Sequence, residues 1–211
     1  MIIHTFEQRS PEWFAARAGV LTASNFKTAR ERVKNGDFAS TAKKLAAKIA
    51  IERIAGEPQS DTFVNFAMRR GVELEPVATS NYEVHTGQIV TAVGFVTTDC
   101  KTYGASPDGF VKDHKGIEVK CPLECERVID LVVNHNHADY MDQVQGNMWI
   151  TEREEWDLVI YTPQLESVGK ALNVYPYKRD ESYIEKMLKD LSDFNNLVLE
   201  YVTALSTKEA A

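Results

Sequence analysis

The strongest constraint on this chain is a short charged constellation: Ser106-Pro107-Asp108-Gly109, then, across a turn, Ile117-Glu118-Val119-Lys120. Tyr103 to Ser106, Phe110-Val111 and Ile117 to Cys121 read as strands, with Asp113-His114-Lys115-Gly116 as a tight turn. Side chains alternate along a strand. Glu118 and Lys120 therefore share a face, about 7 Å apart, and Val119 points the other way, into the core. Asp108 ends the partner strand. The hairpin thus gathers two carboxylates and an ammonium. Two carboxylates suit a hard cation such as Mg²⁺. Such a cation polarises a phosphate and lowers the pKa of water, and a lysine beside it stabilises developing anionic charge. The set points to metal-assisted phosphodiester hydrolysis. The plain alternative is a surface hairpin with a Glu/Lys ion pair, because short charged motifs recur by chance.

Three further groups bear on the same chemistry. Glu75, in Gly71-Val72-Glu73-Leu74-Glu75, lies on an expected helix and offers a third carboxylate. Gln143 and Asn147 lie four apart on one helix face, which reads either as part of a site or as a hydrogen-bonded core pair. In Arg17-Ala18-Gly19-Val20-Leu21-Thr22-Ala23-Ser24, an arginine and a serine beside a helix start can form a phosphate pocket, or simply cap the helix. Two patterns are set aside. His135-Asn136-His137 is too compact for the nuclease motif with those letters and reads as a surface loop. Cys121 and Cys125 are too few to close a zinc site and read as small core or surface residues.

Elsewhere, helices are expected at 11–33 (in two pieces, with Thr22 or Ser24 capping the second), 40–55, 66–86, 137–151 and 181–205. Pro76 should strain the third of these. Strands are expected at 91–98, 156–161 and 171–177. This order makes an α/β or α+β fold with a central mixed sheet flanked by helices. No repeat or Pro/Gly/Ser-rich linker divides the chain, so residues 1–211 read as a single domain. The start lacks a leader pattern, no run reaches the ~18 apolar residues of a membrane span, and three cysteines make no disulfide framework; a cytoplasmic setting is the expectation.

The formal net charge of −7 argues at first against a nucleic-acid partner. Distribution matters more than the sum. Residues 1–70 hold 12 basic and 7 acidic side chains, and residues 71–211 hold 12 and 24. The basic excess, in Lys27, Arg30, Arg32, Lys34, Lys43, Lys44, Lys48, Arg69 and Arg70, suits a phosphate-binding face or an unevenly charged surface.

In order along the chain, five blocks resemble the λ exonuclease family of phage-type recombination nucleases, the YqaJ viral recombinase family. They are Trp13 with Arg17-x-Gly19-Val20-x-Thr22-Ala23-Ser24; Gly71-x-x-x-Glu75; Ser106-Pro107-Asp108-Gly109; Glu118-Val119-Lys120-Cys121-Pro122; and Tyr140-Met141-x-Gln143-Val144-Gln145-x-x-Met148-Trp149. The resemblance implies a restriction-endonuclease-like PD-(D/E)xK core. It implies Mg²⁺, with Mn²⁺ as a substitute, on Asp108, Glu118 and the main-chain carbonyl of Val119. Glu75 completes the acidic site, Lys120 is the catalytic lysine and Gln143 assists it. Arg17, Ser24 and Ser106 recognise a 5′-phosphate. A toroidal homotrimer on double-stranded DNA ends, 5′-to-3′ digestion to mononucleotides and a single-strand annealing partner, in a bacterial host cell with phage or prophage origin, follow from the same resemblance. One departure is visible: the arginine expected just after the Cys-Pro pair falls at Glu126, with Arg127 beside it. Met68, beside Arg69 and Arg70, is a candidate strand-separating wedge. The rival expectations are an endonuclease on the same fold and a DNA-binding module whose carboxylates hold a structural cation.

Overall fold

In the computed structural model, which describes residues 1–59 and 66–207, the Val-, Ile- and Phe-rich runs form mixed sheets flanked by helices, as expected. The sheet is divided in two. The first holds β1 (Ile2–His4), β2 (Leu21–Thr22), β3 (Phe95–Thr97) and β4 (Tyr103–Ala105), in the order β1-β3-β4-β2. The second holds β5 (Gly109–Val111), β6 (Lys115–Lys120), β7 (Glu155–Tyr161) and β8 (Leu172–Lys178), in sequence order. Two pairs are parallel, β2 with β4 and β6 with β7. Ser106-Pro107-Asp108 is the crossing from one sheet to the other.

The helices are α1 (Pro11–Arg17), α2 (Phe26–Arg30), α3 (Ser40–Ala55), α4 (Phe66–Thr86), α5 (Cys125–Val132), α6 (Ala138–Thr151) and α7 (Glu181–Ser206). Local chemistry sets several ends. Ser10 Oγ accepts from Trp13 N at 3.2 Å and Pro11 opens α1. Gly56, at φ 72°, closes α3 in the left-handed conformation. Asp180 caps α7 through Tyr183 N at 3.0 Å. Between α1 and α2, β2 and a 3₁₀ turn (Ala23–Asn25) fill the expected break, and neither Thr22 nor Ser24 caps α2. α4 runs through Pro76. Pro76 leaves the carbonyl of Val72, an exposed residue, without its helical partner.

Alternation along the second sheet sorts its faces. Ile117, Val119, Val159 and Tyr161 pack with Ala78 and Tyr82 of α4. On the opposite face, Leu158 and Ile160 pack under α5. α6 packs against β3, β4 and β7 and so lies against both sheets. The largest apolar cluster joins it to α2, α3 and α7 through Phe26, Ala46, Met148, Trp156 and Phe194.

One expectation is corrected. The hairpin turn is 112–114, with Lys112 at φ 55°, and Gly116 lies within β6 opposite Phe110. Gly116 is required by packing: a Cβ there would sit 2.3 Å from Trp156 Cζ3. Three members of the basic run are held in ion pairs. Lys27 pairs with Asp139, Arg30 with Asp142 and, at 2.8 Å, with Asp190, and Arg32 with Asp193 at 3.7 Å. These bridges tie the region of α2 to α6 and α7.

Because Trp156 is fully buried and cannot retreat, Gly116→Ala should destabilise the fold by about 1–3 kcal/mol, measured by urea denaturation. A shift in stability under 0.5 kcal/mol, the size of an ordinary surface change, would contradict the packing argument.

Candidate active site

β6 is an interior strand of the second sheet, so Glu118 is carried inside with it and is 3% exposed. A buried carboxylate needs donors. Glu118 Oε1 accepts from Lys120 Nζ at 2.7 Å and from Gln143 Nε2 at 2.6 Å. Its Oε2 accepts from Asn147 Nδ2 at 3.0 Å. Gln143 Oε1 turns back to Lys120 Nζ at 3.1 Å, closing a ring of three side chains. One amide of α6 thus serves both charges. Asn147, read in the sequence with Gln143 either as part of a site or as a core amide pair, is a partner of the buried carboxylate; its own Oδ1 is buried without a partner.

Asp108 reaches the same place from the sheet crossing. Its Oδ2 accepts from Val119 N at 2.6 Å, continuing the β5–β6 ladder with a side chain. In an extended strand a residue's N–H and C=O leave by the same edge, so the Val119 carbonyl lies on Asp108's side. Burial pushes the Asp108 carboxyl well above its ordinary range, and the charges of Glu118 and then Glu75 push it further. Lys120 behaves oppositely. Burial pulls its ammonium down, but Glu118 and then Asp108 more than reverse this and hold it at about 12. Lys120 is therefore a fixed cation at neutral pH. Its Nζ also lies 5.3 Å from the centre of the Tyr140 ring.

Glu75 extends from α4 to Arg9, 2.7 Å away. Three carboxylates against two cations, Lys120 and Arg9, leave a local excess of negative charge. Hard oxygens and that excess fit a divalent cation such as Mg²⁺. Among the described residues no three His, Cys, Asp or Glu side chains form a ready metal-holding group. Two carboxylates and a main-chain carbonyl are the donor set offered.

A second group adjoins the first. Arg17 Nη1 donates to Ser106 Oγ at 2.7 Å, and Trp13 Nε1 donates to the same oxygen at 3.1 Å. The guanidinium stacks 4.1 Å from the Trp13 ring centre. Burial lowers Arg17 to about 10, which leaves it charged at neutral pH. Ser24 makes its hydrogen bond to Thr22, at 3.2 Å, and is not directly joined to Arg17 or Ser106. Register still places it nearby. Thr22 pairs with Gly104 in parallel strands, and Ser24 and Ser106 lie two residues beyond these at the same end of the sheet.

Other expectations separate. Arg127 is held by Asp130 and Asp139, both at 3.1 Å, and lies over Tyr140 rather than beside Arg17. His137 is buried, not on a surface loop: its ring binds Tyr177 Oη at 2.6 Å and the Leu131 carbonyl at 3.0 Å. Cys121 and Cys125 are free thiols, the first packed beneath the site and the second exposed. The side chain of Met68 lies outside the described residues. Gln8, which no motif marked, donates to the carbonyls of Val93 and Pro107, both at 2.8 Å, and so pins the residue before Asp108.

A YqaJ-like viral recombinase domain is matched over residues 12–154. The chain belongs to the YqaJ-like viral recombinase family. Among solved structures it is similar to an alkaline exonuclease from Laribacter hongkongensis, with a TM-score of 0.80 and 32% identity over 93% of this chain and 96% of that one. The same enzyme in complex with dAMP matches with a TM-score of 0.81. A phage-related exonuclease from Haemophilus somnus 129PT shares the fold, with a TM-score of 0.72 at 16% identity over 89% of this chain and 96% of that one. Among curated proteins no sequence matches.

The raised pKa of Asp108 has a measurable cost. An acid whose folded pKa is raised is stabilising only below its ordinary value, 3.8, and that stability is lost as pH rises. Asp108→Asn keeps an acceptor for Val119 N–H and removes the charge. With chelator present, the variant should melt higher than the native chain at pH 7–8, and the gain should shrink toward pH 4. Equal melting temperatures across that range would show that Asp108 carries no such strain.

Proposed function

We propose that this chain is a Mg²⁺-dependent exonuclease that digests one strand of linear double-stranded DNA from 5′-phosphorylated ends. Digestion runs 5′ to 3′, releases mononucleotides and leaves 3′ single strands for annealing. The family and the likeness to an exonuclease support a nuclease; the observation that carries the finer reading is the adjacency of two groups. The charged ring of Glu118, Lys120 and Gln143 with Asp108 lies beside the Arg17–Ser106 pair, and a single residue, Pro107, separates Ser106 from Asp108.

In this reading Asp108, Glu118 and the Val119 carbonyl hold the cation. When bound, the cation supplies Lewis-acid polarisation of the phosphate and a lowered pKa for water. The chain's own groups do the rest. Lys120, locked as an ammonium by Glu118 and aligned by Gln143, offers a positive charge where the phosphate gains negative charge. Arg17, stacked on Trp13 and bound to Ser106, is pre-oriented to receive the terminal phosphate, with Ser24 completing the pocket. Glu75 adds to the acidic side of the site. A toroidal homotrimer, a single-strand annealing partner and a cytoplasmic setting belong to the same proposal.

The test is a linear duplex with 5′-phosphates beside a closed circle, with and without Mg²⁺. Mononucleotide release from the linear substrate alone, abolished by chelator and reduced at least about 100-fold by Lys120→Ala, is expected. Cutting of the circle would turn the assignment to an endonuclease, and metal-dependent binding without any product would turn it to a DNA-binding module. Arg17→Ala should also erase the preference for 5′-phosphate over 5′-hydroxyl ends; an unchanged ratio of the two rates would remove Arg17 from the phosphate pocket.

A further inference from the structure

Arg9 sits between β1 and α1 in a conformation that costs it something. Its φ is 70°, a left-handed backbone that suits glycine or asparagine better than a long side chain. Both neighbours are fixed. Gln8 is tied to the Val93 and Pro107 carbonyls, and Ser10 caps α1. The chain cannot relax there without releasing one of them. The outcome is that the Arg9 side chain crosses to α4 and places Nη2 2.7 Å from Glu75 Oε2.

Glu75 is not an isolated surface acid. Leu74, next to it on α4, packs into the cluster that holds Val119 and Cys121, so the turn of helix bearing Glu75 lies against the strand of Glu118 and Lys120, where its negative charge acts on Asp108. Arg9 therefore neutralises one member of the carboxylate cluster from the rim. The pair is partly open to solvent, with Arg9 44% and Glu75 23% exposed, so the guanidinium has room to swing away. A divalent cation held by Asp108 and Glu118 would be drawn by Glu75's charge only as far as Arg9 leaves that charge unneutralised.

We propose that Arg9 is an internal counterion that competes with the divalent cation for Glu75 and thereby sets the metal affinity of the site. This rests on the nuclease reading above. It names a residue that tunes the metal requirement rather than one that touches substrate. A partly exposed ion pair is weak, so the competition amounts to about two- to five-fold in affinity.

The experiment titrates Mn²⁺ alone into metal-stripped, DNA-free full-length protein and follows the free ion by electron paramagnetic resonance. Arg9→Gly and Arg9→Asn both accept the left-handed backbone and both lack the guanidinium. Each should bind Mn²⁺ about two- to five-fold more tightly than the native chain. In a Glu75→Gln background the same substitutions should change nothing. Unchanged or weaker binding in either variant, or equal tightening without Glu75, overturns the competition. The native chain and Asp108→Asn separate this failure from a deeper one. Native binding that is lost with Asp108→Asn but indifferent to Arg9 rejects only the counterion role. Native protein that binds no Mn²⁺, or binds it equally well without Asp108, rejects the nuclease reading and this inference together.

Discussion

A carboxylate leaves water only when something else meets its charge, and Glu118 has left water almost entirely. Its donors are Lys120 on its own strand and Gln143 and Asn147 on α6. This requirement organises the middle of the molecule. A helix packed against both sheets would ordinarily be apolar on every side. α6 instead buries Asp142, Gln145 and Asn147, and each has a partner: Asp142 takes the Tyr183 hydroxyl at 2.6 Å, Gln145 donates to the Lys178 carbonyl at 2.9 Å, and Asn147 serves Glu118. The apolar positions of the helix, Val144, Met148 and Ile150, fill the core between these anchors. The helix thus fixes its distance to β6, to the end of β8 and to α7 at once. Gly146 allows the close approach, since a Cβ there would meet Phe26 at 2.6 Å.

The legible parts of the sequence were those whose reasons are local. The β5–β6 hairpin follows from alternation and a turn, and α3, α4, α6 and α7 from their length and helix-forming composition. The charged pair Glu118 and Lys120 was legible for the same reason, as neighbours two apart on a strand. What escaped had causes distant in sequence or elements too short to show a period. β1 and β2 have three and two residues. Gly116 looked like a turn glycine because turns favour glycine, whereas Trp156 is the reason for it. Gln143 and Asn147 were visible as one helix face, but nothing local pointed to Glu118 as the group they face. Gln8 and Arg9 carried no motif at all, and their importance lies in what the fold sets opposite them.

The uneven charge of the two parts of the chain acquires a second meaning from the fold. Lys27, Arg30 and Arg32 belong to the basic early part, and their partners Asp139, Asp142, Asp190 and Asp193 all belong to the acidic later part. Opposite signs meet where α2 docks, so part of the asymmetry is spent on assembly and not on a ligand. Several of these bridges are partly exposed, and salt screens such pairs. Ionic strength therefore acts on the docking of α2 as well as on any encounter with a polyanion.

Ser106 and Asp108 are separated by a single buried proline whose carbonyl Gln8 holds. One belongs with Arg17 on the first sheet and the other opens the second, so their spacing is covalent, about 7 Å for two extended residues. No rotamer change or hinge can lengthen it, because proline stiffens the segment and both ends are anchored. On the proposed reading, the chain carries a built-in ruler between the point that grips a strand end and the point that cuts it. Its span is on the scale of one nucleotide, so the size of each released piece would be dictated by backbone geometry and be indifferent to base sequence.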